Sequence, residues 1–347
     1  MIRKMDSSPI RLRNCSKTYG DGTIAVGPVD IEIAAGETVV ILGPSGCGKT
    51  TTLRMMAGLE MPDPGGHVLF GADDVTRLPI EKRNVGMVFQ SYALFPNLDV
   101  LENIAYGLRV RGIGLAERSA RAREMMGMMR LEPFAERRID QLSGGQKQRV
   151  ALARALAIQP RALLLDEALT ALDAKLRDTL RTEIDVLLRR LGITTVYVTH
   201  DQEEAMSLGD RIIVMDRGKI VQIGSPREIY HRPGCRFVAE FVGTMNRLPG
   251  EVRDGQFVTK SGRIPCRHLD PDCREVMFRP ESVTIADPAE CDLTGRVAAT
   301  FFLGDRTRLV VDGIGDQPVI VESESAGEFV VDQIVHLKVR SAAVHAF

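Results

Sequence analysis

The sequence lacks any apolar run long enough to cross a bilayer as a helix, which takes about 18 consecutive apolar residues or more. The N-terminus carries positive charge, but no apolar stretch follows it as in a secretory signal peptide. We therefore expect a chain with neither a membrane span nor a signal peptide.

Paired cysteines and an excess charge of either sign are also missing. The six cysteines form no CxxC pair, and a chain of 347 residues is large enough to be stable without disulfides. We therefore expect a reducing, cytoplasmic setting. The 45 basic and 46 acidic residues give a net charge of −1. No overall field then favours nucleic acid or an anionic membrane surface as a partner.

The residues that are present suit a globular protein of two domains. The sequence is 44% hydrophobic and 26% charged, which is ordinary for such proteins. Apolar runs of strand type lie at residues 38–42, 162–165 and 194–199, and a helical pattern fills residues 174–191. Strand, helix and strand in this order predict a parallel sheet. Residues 97–158 are predicted to form a mostly helical insert.

The character of the sequence changes after about residue 243. Short alternating segments of strand type follow, bounded by turn residues. They lie at residues 275–278, 282–285, 308–311 and 334–339. The sequence therefore predicts an α/β domain at 1–242 and a small all-β domain, similar to an OB-fold, at 243–347.

The segment GPSGCGKT at residues 43–50 has the spacing of a P-loop, and it lies between a predicted strand and a predicted helix. Its glycines let backbone N–H groups surround phosphate oxygens, Lys49 neutralises them and Thr50 can ligate Mg²⁺. This pattern predicts a nucleoside triphosphate site. It leaves kinases, GTPases and many ATPases open.

Two adjacent carboxylates, Asp166 and Glu167, follow the apolar run ALLL. Asp166 can hold Mg²⁺ while Glu167 activates an attacking water molecule. The alternative is an Asp-Glu pair that caps a turn or a helix.

A second glycine loop, LSGGQ at residues 142–146, opens a predicted helix and is a further backbone anion site. It has no lysine of its own. The chain could bind two ligands, or it could present this loop to a nucleotide on another copy. As a third alternative, Ser143 is a plain helix N-cap.

Taken together, these motifs resemble those of the ABC transporter ATPase family over roughly residues 10–235. The resemblance implies an α/β P-loop NTPase fold with a helical insert subdomain, and it implies ATP and Mg²⁺ as ligands. By this resemblance, the residues that bind phosphate are Gly43, Pro44, Ser45, Gly46, Cys47, Gly48, Lys49, Thr50 and Thr51. The LSGGQ residues Ser143, Gly144, Gly145 and Gln146 bind nucleotide as well.

The same resemblance assigns the remaining site residues. Lys49, Gln90, Glu167 and His200 are catalytic, and Thr50, Gln90 and Asp166 hold the metal. Tyr19 stacks on adenine. The residues by themselves leave other interpretations: Gln90 as a polar strand end, His200 as the neighbour of a helix N-cap and Tyr19 as a surface residue.

The sequence departs from the family pattern directly after Glu167. Residues 168–170 are Ala-Leu-Thr, where proline followed by Leu-Ser is commoner. A missing proline should loosen the turn that carries the catalytic base. Residues 171–173 are the equivalent of the D-loop, and Asp173 is also a candidate helix cap.

The resemblance implies partners as well as a site. A second copy would bind head to tail, integral membrane permease subunits would supply the pore, and a solute-binding protein would act indirectly. No nucleic acid partner is expected. The tail resembles the β-rich, TOBE-like regulatory domain of importer ATPases for sugars, ferric iron, polyamines and phosphonates.

These expectations place the chain peripherally on the cytoplasmic face of the inner membrane, where it would energise solute import. The region VGTMNRLPG favours polyamines or aminoalkylphosphonates. Sugar or ferric iron import is the alternative, followed by an exporter motor or a non-transport ABC ATPase.

Overall fold

The computed structural model describes residues 5–167, 174–324 and 329–347, and for residues 174–180 only the backbone. The chain divides into two compact units, Met1–Ile229 and Tyr230–Phe347. The domain boundary suggested at residues 242/243 falls inside the second unit and stays a prediction.

The first unit combines strands and helices. It begins with β1 (Ile10–Thr18), β2 (Ile24–Ile33), β3 (Thr38–Leu42), α1 (Lys49–Ala57), β4 (His67–Phe70), β5 (Asp73–Asp74), α2 (Ile80–Arg83) and β6 (Val85–Val88). It continues with α3 (Val100–Val110), α4 (Leu115–Met128), α5 (Gly144–Ala157), β7 (Ala162–Asp166), α6 (Ala174–Leu191), β8 (Thr194–Thr199), α7 (Gln202–Leu208), β9 (Arg211–Asp216) and β10 (Lys219–Gly224), followed by α8 (Pro226–His231).

The main sheet of this unit has the strand order β10-β9-β3-β8-β7-β6. Strands β9, β3, β8, β7 and β6 run parallel, and β10 is antiparallel to β9. Every residue of β3, β7 and β8 is buried, as expected for strands covered on both faces. The predicted parallel sheet is confirmed, although β7 extends one residue beyond the prediction to Asp166.

In a parallel sheet the carboxyl ends of all strands lie along one side of the sheet, its carboxyl-terminal edge. The four adjacent strands β3, β8, β7 and β6 therefore deliver the residues that follow them to the same side. These residues are Gly43, His200, Glu167 and the pair Phe89-Gln90. The predicted catalytic residues all lie in segments that follow this edge, whereas LSGGQ and Tyr19, which were predicted to bind nucleotide, do not.

Helix α1 is fixed at the end remote from the P-loop. The guanidinium of Arg83 is fully buried. It donates hydrogen bonds to the carbonyls of Met55 (2.7 Å) and Met56 (2.9 Å) in the last turn of α1. A further bond runs from Nε of Arg83 to the carbonyl of Leu78 at 2.7 Å. These bonds satisfy carbonyls that a helix C-terminus leaves open, and so the helix that begins at Lys49 has a fixed position.

The predicted helical insert is observed as α3, α4 and α5. A capping box starts α3, in which Asp99 accepts a hydrogen bond from the backbone of Glu102 and the Glu102 side chain accepts one from Asp99. Two 3₁₀ turns, Glu132–Phe134 and Ile139–Gln141, join α4 to α5. The insert therefore ends on the helix that carries LSGGQ at its N-terminus.

The second unit is made mainly of antiparallel strands. It contains α9 (Arg236–Phe241), β11 (Asn246–Pro249), β12 (Glu251–Arg253), β13 (Gln256–Thr259), β14 (Gly262–Pro265), β15 (Glu275–Phe278), β16 (Val283–Ile285), β17 (Leu293–Phe302), β18 (Thr307–Asp312), β19 (Val319–Ser323) and β20 (Ile334–Val339). β11 pairs with β15, and the other strands form one sheet of eight. A buried apolar core that includes Phe257, Phe278 and Leu337 holds this unit together.

One detail differs from the sequence-based expectations, and one set of predictions is not covered. Residue Ser282, predicted to start a strand, lies in a 3₁₀ turn (Pro280–Ser282), and β16 begins at Val283. Pro280 fixes a φ angle that suits the turn, and Ser282 donates its N–H to the carbonyl of Arg279 at 3.0 Å. The predictions for residues 168–173, Ala168 and Asp173 among them, lie outside the described residues.

In the part of the chain that the structure describes, no helix is both long and apolar enough to cross a membrane.

Candidate functional site

The loop between β3 and α1 has the form that phosphate binding requires. At Gly43 the chain passes so close to its neighbours that a Cβ would lie 2.6 Å from Sγ of Cys47. Gly48 has a φ of +100°, and a Cβ there would lie 2.5 Å from the carbonyl oxygen of Ala25. Only glycine fits both positions. Ser45 and Gly46 form the exposed crest of the loop.

The ammonium group of Lys49 lies inside this loop. Its side chain is buried, and Nζ donates hydrogen bonds to the carbonyls of Gly43 (2.8 Å) and Pro44 (2.9 Å). Cys47 is buried beside it, and this burial raises the pKa of the thiol. A positive charge is thus held within a ring of backbone groups at the N-terminus of α1, which favours an anion.

A pair of hard oxygen ligands lies next to the loop. Thr50 Oγ1 donates a hydrogen bond to Oδ1 of Asp166 across 3.2 Å, which joins α1 to the end of β7. Asp166 is buried, and desolvation raises the pKa of its carboxyl. A hydroxyl and one carboxylate, completed by phosphate oxygens, are the donor set with which proteins usually bind Mg²⁺. The residues present therefore fit this ion.

Glu167 follows Asp166 in a strained backbone conformation. Its φ is +46°, in the left-handed region that residues with a Cβ rarely occupy. Its N–H donates to the carbonyl of Val198 at 2.9 Å, so the neighbouring strand β8 holds the residue in place. Such strain is typical of residues whose side chain must point in one direction for function.

The carboxylate of Glu167 is held from both sides by Gln90 and His200, two other residues that were predicted to be catalytic. Nε2 of Gln90 donates to Oε2 at 3.2 Å, and Nδ1 of His200 lies 3.0 Å from Oε1. Gln90 comes from the end of β6 and His200 from the end of β8, the two strands that flank β7. The Glu167 side chain remains about 20% exposed, so its carboxylate is accessible to solvent. Three residues that are far apart in sequence thus meet at one point.

The residues on either side of His200 form a network, of which the sequence analysis identified only the neighbouring helix N-cap. Thr199 Oγ1 donates to Oε2 of the buried Glu204 at 2.6 Å and accepts the N–H of Asp201 at 2.9 Å. Asp201 then caps α7 by accepting the N–H groups of Glu203 and Glu204. The signal was present in the sequence, because Asp followed by Glu is typical of a helix N-terminus.

LSGGQ forms the N-terminus of α5 as a capping box. Ser143 Oγ accepts the N–H of Gln146 at 3.4 Å, and Oε1 of Gln146 accepts the N–H of Ser143 at 2.9 Å. The capping interpretation is therefore correct for the side chains. It is compatible with anion binding, because the first-turn N–H groups of Gly144 and Gly145 have no carbonyl within the helix to accept them.

The described contacts do not join Tyr19 or LSGGQ to the cluster around Glu167. Tyr19 is 37% exposed just after β1, and Nζ of Lys17 lies 5.6 Å from its ring centroid. The same hairpin approaches the P-loop through Ala25, which faces Gly48. Tyr19 therefore lies on an element that borders the loop.

Comparisons with known proteins identify the family to which the chain belongs. The family model described as ABC transporter matches residues 26–170, and the model described as TOBE domain matches residues 276–347. The Fe(3+) ions import ATP-binding protein FbpC of Brucella abortus (strain 2308) is 43% identical over 344 residues, covering 96% of this chain and 97% of the relative. The sulfate/thiosulfate import ATP-binding protein CysA 2 of Chromobacterium violaceum is 50% identical over 306 residues, covering 86% of this chain and 83% of the relative.

Solved structures that cover about two thirds of the chain give the same result. A dimeric ATP-binding cassette in a post-hydrolysis state with ADP and Pi has a TM-score of 0.57 at 36% identity, covering 63% of this chain and 99% of that one. A component of an ABC transporter complex from Clostridium perfringens has a TM-score of 0.59 at 27% identity, covering 65% of this chain and 91% of that one. The chain belongs to the ABC transporter ATPase family, as an ATP-hydrolysing subunit of the importer type with a C-terminal TOBE domain.

Proposed function

We propose that Glu167 is the general base for ATP hydrolysis in this chain, and that the P-loop residues 43–51 bind the phosphates of the ATP. The observation that carries this proposal is the position of the Glu167 carboxylate between Gln90 and His200. A carboxylate that two neighbours orient and that remains accessible to solvent can take a proton from water in a defined direction.

In the reaction, a bond forms between the water oxygen and the γ-phosphorus of ATP. The bond from this phosphorus to the bridging oxygen of the β-phosphate breaks, and ADP and phosphate leave. Glu167 receives the proton of the attacking water. Lys49 at the loop and His200 at the strand end stabilise negative charge on the γ-phosphate oxygens.

Thr50, Asp166 and Gln90 would hold Mg²⁺. When bound, this ion neutralises phosphate charge and helps to orient the γ-phosphate. The raised pKa of Asp166 has its largest cause in desolvation by burial, a cost that a cation beside the carboxylate would offset.

LSGGQ completes the site in a second copy of the chain. Each copy carries one P-loop and one LSGGQ segment, and a head-to-tail pair would place Ser143 and Gln146 of one copy against the nucleotide on the other. The similarity to dimeric ATP-binding cassettes supports this assembly. Tyr19 would stack on the adenine from the hairpin that borders the P-loop.

The pair would work at the cytoplasmic face of the membrane, beneath integral permease subunits that receive solute from a binding protein. Closure of two copies around ATP would move the permease, and hydrolysis would reopen it. The importer-type relatives support this role.

For the solute we propose ferric iron rather than the polyamine or aminoalkylphosphonate that the sequence analysis favoured. Several relatives at 43–46% identity bear the name of an Fe(3+) import ATP-binding protein. Sulfate or thiosulfate is the second candidate, because a relative with that printed name is 50% identical over 306 residues.

The catalytic proposal is tested by Glu167→Gln in the purified chain. We expect ATP binding to persist and kcat to fall by about 10²- to 10⁴-fold, since the base is lost while the shape is kept. Gel filtration with ATP should then show a stable dimer of the variant. Turnover equal to the unaltered chain would contradict the role of Glu167, and a monomer at saturating ATP would contradict the head-to-tail pair.

The role of His200 is tested by His200→Ala against a matched control. We expect kcat to fall by about 10²-fold with little change in KM for ATP, because a donor to the developing charge is lost. His67 also contacts a carboxylate, with Nδ1 2.9 Å from Oδ2 of Asp74, but it lies in an exposed hairpin. His67→Ala should leave kcat unchanged. Equal effects of the two substitutions would refute a special role for His200.

The solute is tested by uptake in cells that lack this chain. Uptake of radioactive ferric iron should fall to background and be restored by the unaltered chain but not by Glu167→Gln. Sulfate and putrescine uptake should be unaffected. Loss of sulfate or putrescine uptake with normal iron uptake would reject the iron proposal while leaving the ATPase proposal intact.

A further inference from the structure

The segment that follows Gln90 is bound to helix α5 through one side chain, Arg154. Its Nη2 donates to the carbonyl of Tyr92 at 2.8 Å, and its Nη1 donates to the carbonyl of Ala93 at 2.7 Å. The guanidinium also lies over the ring of Phe95, 5.4 Å from the centroid. One planar group thus contacts three residues of a single loop, which a guanidinium suits better than an ammonium group.

The backbone at this point is strained. Tyr92 has a φ of +62° and Ala93 a φ of +45°, so two consecutive residues with a Cβ occupy the left-handed region. Such a conformation persists only when surrounding contacts determine it. The two hydrogen bonds from Arg154 end on the carbonyls of these same two residues.

The far side of the loop is held separately, by Asn103 on α3. This fully buried side chain accepts the N–H of Phe95 at 2.9 Å and donates to the carbonyls of Phe95 and Leu98 at 3.1 Å each. Asn103 therefore fixes the part of the loop that leads into α3. The part adjacent to Gln90 is closed by a backbone hydrogen bond from Tyr92 N–H to the carbonyl of Phe89 at 2.8 Å and is joined to α5 by Arg154.

Gln90 is two residues before Tyr92, and its side chain reaches Glu167. A shift of the backbone at residues 92–93 would also move Cα of Gln90, and with it the Gln90 side chain, by a similar amount. Its hydrogen bond to Glu167 is 3.2 Å long, which is at the upper end of the usual range for an N–H···O bond. The position of Gln90 is therefore sensitive to the loop that Arg154 holds.

We propose that Arg154 is a positioning residue for ATP hydrolysis: it holds Tyr92 and Ala93 in the left-handed conformation that lets Gln90 orient Glu167. The proposal rests on the proposed role of Glu167 as the base. Arg154 also connects the loop after Gln90 with LSGGQ, because Arg154 and LSGGQ both lie on α5. At 1.5 Å per residue, the 11 steps from Ser143 to Arg154 span roughly 16 Å.

The surroundings of Arg154 support a specific role. Arg154 is partly buried, and this burial lowers the pKa of its guanidinium. Its described hydrogen bonds all end on carbonyl oxygens. A charge desolvated to hold two carbonyls of a strained loop is more than a surface contact.

The first test compares Arg154→Met and Arg154→Lys with the control Arg111→Met in the purified full chain. Arg111 also donates to a carbonyl at an end of α5, that of Ile158, at 3.0 Å, and burial lowers its pKa as well. We expect Arg154→Met to reduce kcat roughly 10-fold or more with KM for ATP nearly unchanged. Arg154→Lys, which keeps one donor, should be intermediate, and Arg111→Met should keep the kcat of the unaltered chain.

The second test separates positioning from general loss of structure by a double-mutant cycle with Gln90→Ala. If Arg154 acts through Gln90, then Arg154→Met should cause little further loss of kcat in a chain that already has Gln90→Ala. Fully additive losses would overturn the inference. Thermal unfolding of each variant checks that the substitutions leave the chain folded, and Arg154→Lys provides the cycle if Arg154→Met does not fold.

The outcomes distinguish this inference from the proposed function. If Glu167→Gln abolishes turnover but Arg154→Met has the kcat of Arg111→Met, the base assignment stands and the positioning role of Arg154 is refuted. If Glu167→Gln turns over normally, the proposed function fails, and with it the basis for assigning a role to Arg154.

Discussion

The site depends on the parallel arrangement of four adjacent strands, β3, β8, β7 and β6. Each strand is followed by one part of the proposed site: the P-loop, His200, Glu167 and Gln90. Parallel strands that pair side by side must end at the same edge, so these parts are close together before any ligand binds. The hydrogen bonds that hold the Glu167 carboxylate follow from this strand order, since the flanking strands supply both neighbours.

The rigid sheet also allows unfavourable local states to persist. Asp166 is buried with a raised pKa, and Glu167 has a positive φ directly after it. Both residues are held to β8, Asp166 by strand pairing with Val198 and Glu167 by its N–H to the same residue. A second strained point, at Tyr92 and Ala93, follows the next strand, β6. Strain and desolvation therefore occur side by side at the edge where the ATP would bind, and the fully buried strands provide the stability that maintains them.

Local patterns predicted much of this architecture. The P-loop, α1 and the strands on either side of α6 were predictable because glycine spacing and apolar periodicity act over a few residues. The contact of Gln90 with Glu167 was not predictable from spacing, because it depends on β6 pairing with β7 across a long stretch of sequence. The family resemblance indicated only that Gln90 belongs to the site. The buried Glu204 that supports Thr199 was missed for a similar reason, since its burial depends on how α7 packs. Residue Ser282 shows the opposite error: a proline turn overrode a short strand pattern.

The most direct test is a structure of the Glu167→Gln chain with ATP and Mg²⁺. The account predicts two copies arranged head to tail, with the γ-phosphate of each ATP between Lys49 and His200 of one copy and Ser143 of the other. Residue 167 should lie within hydrogen-bond distance of a water molecule in line with the γ-phosphorus. A nucleotide bound away from the strand edge, or a Ser143 that contacts the ATP of its own copy, would contradict the account.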